Sequence, residues 1–512
     1  MNPPFPAGRF CCVRSPAAGV GIGYARRMRM TVGFVAALTG ALVLSGCSDP
    51  DDVGPPVDGP SLAAAIDTDA VIGDLAQLER IAGDNGGNRA AGTPGYDASV
   101  DYVVDQLEQA GFDVDTPEFA VDLFHATTQT LQVSGRQVPV KALTYSPPTP
   151  AGGLTARLVP VPSDDTPGCD DTDYAGLDVT GAVVLVDRGA CPFAQKQRVA
   201  AERGAVAILV ADNVDGDLTA GTLGSKDDAR IPTGAVGKAD GAALRQGGDA
   251  TLTLDTTVES VKSRNVIAQT RTGASDNVVM VGAHLDSVPE GPGVNDDGSG
   301  VAVLLESARQ LGATPNVTNA VRFAFWGAEE VGLDGSSAYV DGLDDAARAD
   351  IAMYLNFDMV GSHNAGYFVY DGDDSDRVGE GPGPQGSAGI ERTFDAILLQ
   401  LGVSPDGTDF DGRSDYGPFV AAGIPAGGLF TGAEEIKTPV QAGKWGGESG
   451  AGFDPNYHNA QDTLANVDRT ALGLNAEAVG YGIGHYAQSI DGPNGVPAAG
   501  DARSGARAGT GK

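Results

Sequence analysis

Two acidic, glycine-rich segments far apart in the chain each accompany a histidine. GPGVNDDGSG (residues 291–300) follows His284, and FDPNYH (residues 453–458) ends in His458. Because the chain contains only 5 histidines, one beside each of two such segments is informative. Other carboxylates stand where apolar runs end. The candidate metal ligands are His284, Asp296, Asp358, His458 and one carboxylate of the adjacent pair Glu329 and Glu330.

This set offers two nitrogen and three oxygen ligands, which is too many for one tetrahedral zinc but suits two ions that share a carboxylate. Adjacent side chains on an extended backbone point opposite ways, so one glutamate of the pair can face a metal and the other a water or substrate. Such a site activates water for attack on a carbonyl. The alternative is a solvated acidic loop, but two glutamates that follow Phe325 and Trp326 would be costly to bury unpaired.

The elements around these residues predict an α/β fold with a mixed central sheet flanked by helices. Residues 278–281 are continuously apolar, as in a strand buried on both faces, and His284 stands where that strand ends. A helical apolar repeat follows from Val301, with Ser299 as the predicted N-cap and Asp297 at the helix entry. Open α/β sheets place their sites at such carboxyl ends of strands.

The N-terminal residues predict export. Basic residues precede an apolar run that ends in Leu44-Ser45-Gly46-Cys47, which resembles a bacterial lipoprotein box. We expect residues 1–46 to be a signal peptide, Cys47 to be lipidated, and residues 47–60 to form a disordered tether. The alternative is an ordinary secretory signal and a secreted protein. The net charge of -35 argues against nucleic acid as a partner.

Residues 126–258 differ in character and are predicted to form an inserted, β-rich domain. Once the signal is removed and Cys47 is lipidated, Cys169 and Cys191 remain, and in an exported chain they most simply form a disulfide. The run VVLVDRGACPFAQKQRVAAERGAVA resembles the protease-associated (PA) domain. That resemblance implies an insert that shapes substrate access or makes protein contacts; a purely structural role is the alternative. The peptidase-like parts would be residues 61–125 and 259–491, with a disordered tail at 492–512.

The motifs AHLDSV, GPGVNDDGSG, FAFWGAEEVGL, LNFDMVGS, GRSDYGPF and FDPNYH occur in this order, and together they resemble the secreted bacterial double-zinc leucyl aminopeptidases. The resemblance implies removal of N-terminal residues, preferably large apolar ones, from peptides or proteins. It also implies two zinc ions bridged by Asp296, with His284 and Asp358 completing one site, and Glu330 and His458 the other. No cysteine or Gly-x-Ser-x-Gly motif is available for a covalent route.

The same resemblance implies roles for the residues around the metals. Glu329 would be the general base, Tyr457 a hydrogen-bond donor to the tetrahedral intermediate, Arg413 a substrate contact, and Asp286 the carboxylate that orients His284. Relatives can bind calcium, but no residues here are assigned to such a site. Tyr416 stands where relatives often have histidine, which leaves any role for that position in doubt.

Three other functions stay open at this point. A dipeptide carboxypeptidase or a single-zinc glutaminyl cyclase would share the fold, and free-amine against free-carboxylate substrates would separate these. A metal-free binding module that uses the insert is the third interpretation, and zinc absent from the purified protein would favour it. We expect a monomer whose only membrane contact is the lipid anchor.

Overall fold

The computed structural model describes residues 55–214, 221–379 and 381–496. The predicted signal peptide and Cys47 lie outside these residues. Among the helices of the described part, none is both long and apolar enough to cross a bilayer.

Helices alternate with strands along the chain. The helices are α1 (Gly59–Ala65), α2 (Thr68–Asp84), α3 (Pro94–Gln109), α4 (Phe193–Glu202), α5 (Lys238–Leu244), α6 (Gly298–Leu311), α7 (Asp334–Gly342), α8 (Asp345–Ala349), α9 (Ser387–Gln400), α10 (Tyr416–Ala421), α11 (Pro439–Trp445) and α12 (Arg469–Gln488). The strands are β1 (Val114–Asp115), β2 (Glu118–Val133), β3 (Arg136–Val138), β4 (Lys141–Ala142), β5 (Leu154–Pro160), β6 (Val183–Asp187), β7 (Ala207–Ala211), β8 (Thr233–Val236), β9 (Gly248–Arg264), β10 (Val266–Gln269), β11 (Ala274–His284), β12 (Asn319–Trp326), β13 (Ile351–Phe357), β14 (Phe368–Tyr370), β15 (Asp406–Thr408) and β16 (Ala426–Phe430).

The first sheet has the strand order β1-β10-β12-β11-β13-β16-β14-β15. Strands β12, β11, β13 and β16 are parallel, whereas β10 and β14 pair antiparallel with their neighbours β12 and β16. One face packs against α2, α3, α6, α9 and α12, and the other against α7 and α10. The central strands are buried on both faces, which explains their continuous apolar runs. The mixed sheet between helices confirms the predicted fold class.

The second sheet has the order β3-β2-β9-β5-β6-β7-β8-β4 and carries α4 and α5. Its long strands β2 and β9 pair antiparallel from Glu118 with Arg264 to Val133 with Ala250. They form a two-stranded ribbon whose base extends beyond the predicted insert of residues 126–258. Cys169 and Cys191 are joined by a disulfide in this domain, which confirms the expected pairing.

Three local expectations are corrected. Residues 55–60 belong to the fold and not to a tether, because Pro56 bridges to Asn316 and α1 begins at Gly59. The start of the predicted tail is ordered as well: Val496 is buried in the main core. The N-cap of α6 is Asp297, whose carboxylate accepts the Gly300 N–H; the Ser299 hydroxyl, in the first turn of the helix, instead donates to the carbonyl of Asn295, which precedes the helix.

Candidate metal centre

The first group of candidate ligands forms where β11 and β13 end. His284 pairs with Trp326 across the parallel strands β11 and β12, and Asp358 directly follows β13. His284 Nε2 lies 3.1 Å from Asp296 Oδ1 and 3.6 Å from Asp358 Oδ1. The imidazole is buried, at 1% exposed. Three predicted ligands from separate segments therefore meet at the carboxyl edge of the sheet.

The second group shares Asp296 with the first. His458 Nε2 lies 3.2 Å from Asp296 Oδ2 and 2.9 Å from Glu330 Oε2. Asp296 thus presents one carboxylate oxygen to each histidine. Within each group, one ligating atom from every residue lies within 4.8 Å of the others. The structure brings together all five residues that were predicted to hold metal.

The chemistry of this cluster fits bound cations. Glu330 Oε1 and Asp358 Oδ1 are buried and have no hydrogen-bond partner. Burial and the charge of Asp296 raise the pKa of Glu330 to about 8, so the ionised carboxylate is disfavoured without a cation. Burial by itself lowers the pKa of His458, but hydrogen bonds to Asp296 and Glu330 raise it to about 10. Each group offers one imidazole nitrogen and two carboxylates, a donor set suited to zinc.

Glu329 stands beside these ligands in the turn that follows β12. Burial raises its pKa well above the usual value, and the carboxylate of Glu330 acts in the same direction. Its backbone N–H donates to Asp286 Oδ1 at 3.1 Å, and the N–H of Glu330 donates to Asp286 Oδ2 at 3.4 Å. The Asp286 carboxylate therefore holds the glutamate pair in place.

The contact between Asp286 and His284 differs from the expected one. His284 Nδ1 lies 3.1 Å from the backbone carbonyl of Asp286 but 3.8 Å from its carboxylate. Since the carboxylate accepts the two glutamate N–H groups, the carbonyl is the nearer acceptor for the imidazole. The ring is oriented by Asp286, but through the main chain.

Arg413 and Tyr457 meet at the entrance to the site. Arg413 Nη2 donates to the Tyr457 hydroxyl oxygen at 3.3 Å, and its guanidinium pairs with Glu434 at 2.9 Å and Glu435 at 3.4 Å. The Tyr457 ring stacks on the His458 ring with centroids 3.7 Å apart. Both predicted residues thus border the metal-ligand cluster, and Arg413 also supports Tyr457.

A cleft opens onto the cluster. Its walls combine apolar side chains, among them Met359, Tyr370 and Phe430, with the polar residues of the site. Tyr416, whose role the sequence left in doubt, also lines the cleft, and its hydroxyl donates to Asp411 at 2.6 Å. His284, Glu329 and Tyr457 line this same cleft.

Sequence reasoning missed the residues that support the ligands from behind. Asp462 accepts the N–H groups of Asn295 and Asp296 at 2.7 and 3.0 Å, which fixes the backbone of the shared ligand. Arg89 is fully buried, and its guanidinium donates to the carbonyls of Leu285, Pro292 and Gly293. Arg89 lies in the segment GGNRAAGTPGY, and an arginine among glycines is the sequence signal that could have drawn attention to it.

A further group of carboxylates, Asp371, Asp373 and Glu391, is the one other place in the described chain where three ligating atoms lie within 4.8 Å. The sequence left calcium possible without assigning residues to it, and no residues are assigned to calcium here.

Two histidines and three carboxylates at the carboxyl edge of a mixed sheet, with a further carboxylate in reach, define a metallohydrolase site. The chain belongs to peptidase family M28, whose model matches residues 265–483, and it contains a PA domain matched at residues 154–244. M28 is the co-catalytic zinc exopeptidase family, so the predicted family and insert are both confirmed.

Relatives and solved structures agree with this assignment. The chain is 56% identical over 458 residues to the probable lipoprotein aminopeptidase LpqL of Mycobacterium tuberculosis, covering 87% of this chain and 92% of the relative. An aminopeptidase from Aneurinibacillus sp. strain AM-1 superposes with a TM-score of 0.70 at 29% identity, over 84% of this chain and 96% of that one. BSAP, a zinc aminopeptidase from Bacillus subtilis, superposes with a TM-score of 0.60 at 27% identity, over 84% of this chain and 98% of that one.

Proposed function

We propose that this protein is an aminopeptidase that removes large apolar residues from the N-termini of peptides or proteins with two zinc ions and Glu329 as general base. The observation that carries the proposal is the pair of ligand groups that share Asp296, with Glu329 beside them in one cleft. The relatives named aminopeptidases, and the zinc aminopeptidase among the solved structures, support the reaction and the metal.

Five side chains would hold the metals. Asp296 would bridge the two ions, His284 and Asp358 would complete one site, and Glu330 and His458 the other. When bound, the zinc ions would polarise the scissile carbonyl and lower the pKa of a water molecule. The orphaned oxygens of Glu330 and Asp358 support this arrangement, because a bound cation would satisfy both.

Glu329 would move the proton. Burial, together with the carboxylate of Glu330, raises the pKa of Glu329 above that of an exposed glutamate, which favours the protonated form and suits a group that must accept a proton. It would accept the proton of the attacking water and return it to the leaving amine. The two N–H contacts to Asp286 keep the Glu329 backbone fixed while its side chain acts.

Tyr457 would stabilise the oxygen on which negative charge develops. Burial, together with the charges of Asp296 and Glu330, raises the pKa of Tyr457, so the hydroxyl keeps its proton and remains a donor. Because Arg413 donates to the hydroxyl oxygen, the hydroxyl hydrogen is left for the substrate. Arg413 would also contact the substrate from the rim of the cleft.

The cleft and the N-terminal sequence support the remaining parts of the proposal. Met359, Tyr370 and Phe430 offer an apolar wall for a large N-terminal side chain. Lipidation of Cys47 would anchor the enzyme outside the cell, and the name of the M. tuberculosis relative includes the word lipoprotein. The membrane would be contacted only through that anchor.

A peptide digest read by mass spectrometry tests the function. A leucine-initiated peptide with a free amine should shorten from its N-terminus, and the same peptide with an acetylated amine should stay intact. Blocking the C-terminal carboxylate as an amide should change nothing. Shortening from the C-terminus would instead indicate a carboxypeptidase, and conversion of N-terminal glutamine to pyroglutamate without peptide cleavage would indicate a cyclase. Either result would overturn the proposal.

A further inference from the structure

The turn that carries Glu329 and Glu330 is closed by hydrogen bonds between its ends. Gly335 N–H donates to the Gly327 carbonyl at 3.0 Å, and Asp334 N–H donates to the Ala328 carbonyl at the same distance. Ala328 and Leu333 both have φ of 60°, in the left-handed region that non-glycine residues seldom adopt. A turn with two such residues needs support from its surroundings to keep one conformation.

Asn265 provides that support from outside the turn. Its Oδ1 accepts the Gly327 N–H at 3.0 Å, and its Nδ2 donates to the Gly335 carbonyl at 2.8 Å. The side chain thus spans the two ends of the turn, and Asn265 is buried, at 2% exposed. A Cβ added at Gly335 would lie 2.3 Å from Asn265 Oδ1, so the approach is close.

Asn265 also connects the turn to the inserted domain. It lies between β9, the last strand of the insert sheet, and β10 of the peptidase sheet, and its own N–H donates to the Pro117 carbonyl at 3.1 Å. At the same ribbon base, Val121 packs in a small apolar cluster with Ala328, and Val261 packs against that cluster. The strands that enter and leave the insert therefore pack against the turn that carries the two glutamates.

We infer that Asn265 is a positioning residue, which sets the places of Glu329 and Glu330 by clamping the ends of their turn at the root of the inserted domain. The inference rests on the proposed function for the roles of these two glutamates. Since Glu330 belongs to only one of the two ligand groups, loss of the clamp should weaken one metal site and spare the other. A role confined to overall stability would not produce that asymmetry.

Zinc titration of the metal-free full chain against a chromophoric chelator tests the clamp in Asn265→Ala. We expect one zinc dissociation constant to rise about tenfold while the other changes less than twofold. On a leucyl amide, kcat should fall about tenfold with KM within twofold, because Glu329 acts on the substrate only after it is bound. Asn265→Asp keeps the shape and the acceptor toward Gly327 but loses the donor to Gly335, and it should shift the same constant in the same direction.

Asn319→Ala is the matched control. This asparagine is equally buried, at 3% exposed, and donates to the Tyr486 carbonyl at 2.8 Å, but it stands at the opposite end of β12 from the glutamates. It should lower the unfolding temperature without changing either zinc constant. Folded Asn265 variants with wild-type zinc constants and kcat, or the same asymmetry in Asn319→Ala, would overturn the inference. A wild-type protein that binds two zinc ions but cleaves no aminoacyl amide would refute the proposed function instead, and the zinc comparison would still test the clamp.

Discussion

Arg89→Met is expected to destabilise the metal-free protein strongly. Arg89 is 0% exposed, and its guanidinium donates to three carbonyls of the loop between His284 and Asp296. Burial lowers the pKa of Arg89 from its usual value, and the charges of Asp286 and Asp462 act against that change. Methionine fills a similar volume but offers no donor, so the substitution removes the hydrogen bonds and the charge together.

The magnitude follows from these contacts. A hydrogen bond with a charged partner contributes about 1.5–3 kcal/mol, so three such bonds would sum to about 4.5–9 kcal/mol if they were independent. Burial of a cation costs several kcal/mol, and the substitution recovers that cost. The net loss in the free energy of unfolding should be about 3–5 kcal/mol, as for other buried charges whose partners are left alone.

Urea unfolding in the presence of a chelator, followed by the fluorescence of the buried Trp326, measures this loss. Arg469→Met is the control, since Arg469 and its partner Asp69 have side chains 59% and 85% exposed. That surface pair should contribute only about 0–1 kcal/mol. If the free energy of unfolding of Arg89→Met stays within about 1 kcal/mol of wild type, the stabilising role assigned to the Arg89 hydrogen bonds is wrong.

Three further predictions concern single positions. Tyr457→Phe should lower kcat on a leucyl amide about 10²- to 10³-fold with little change in KM, and an unchanged kcat would exclude Tyr457 as the oxyanion donor. Cys169→Ser should destabilise the inserted domain by roughly 3 kcal/mol, visible by calorimetry as a lower first transition, because the disulfide closes a loop with a sequence separation of 22. Burial and the nearby carboxylates of Asp373 and Asp371 raise the pKa of Glu391 to about 7. The folded state therefore holds that proton more tightly, and in chelator the free energy of unfolding should fall as pH rises from about 4.5 to 7. Glu391→Gln should flatten this dependence in urea titrations, and an unaltered slope would contradict the assignment.

The ligand set could be predicted because its residues lie at the ends of recognisable elements. His284 ends an apolar strand, Asp358 follows another, and the glutamate pair follows a third, so parallel pairing brings these residues to one edge of the sheet. The order of the motifs then made the family recognisable. The fold class followed from the same alternation of buried strands and amphipathic helices.

The supporting residues could not be predicted, because their partners are distant in the sequence. Arg89 binds carbonyls that are 196 to 204 residues away, and Asp462 binds N–H groups 166 and 167 residues away. A backbone carbonyl or N–H has no sequence signature, so nothing in the chain marks these contacts. The clamp by Asn265 could not be predicted for the same reason, because its side chain bonds the backbone of Gly327 and Gly335.

The sequence also could not predict which of several neighbouring polar side chains accepts a given N–H group. Both Asp297 and Ser299 are suitable N-caps, and only the packed structure shows that Asp297 occupies the cap while also accepting the N–H groups of His284 and Met359. Asp286 was expected to orient His284 through its carboxylate, yet that carboxylate is engaged by the glutamate turn. Such choices depend on which donors the tertiary fold brings near.

The most direct test of the proposed mechanism is the rate of Glu329→Gln measured together with its zinc content. The variant should still bind two zinc ions per chain, because Glu329 is not among the five proposed ligands, and its kcat on a leucyl amide should fall about 10²- to 10⁴-fold. Removal of both ions from the wild type by a chelator should likewise abolish activity. A Glu329→Gln enzyme that holds two zinc ions and cleaves at near wild-type rate would contradict the assigned base and the mechanism built on it.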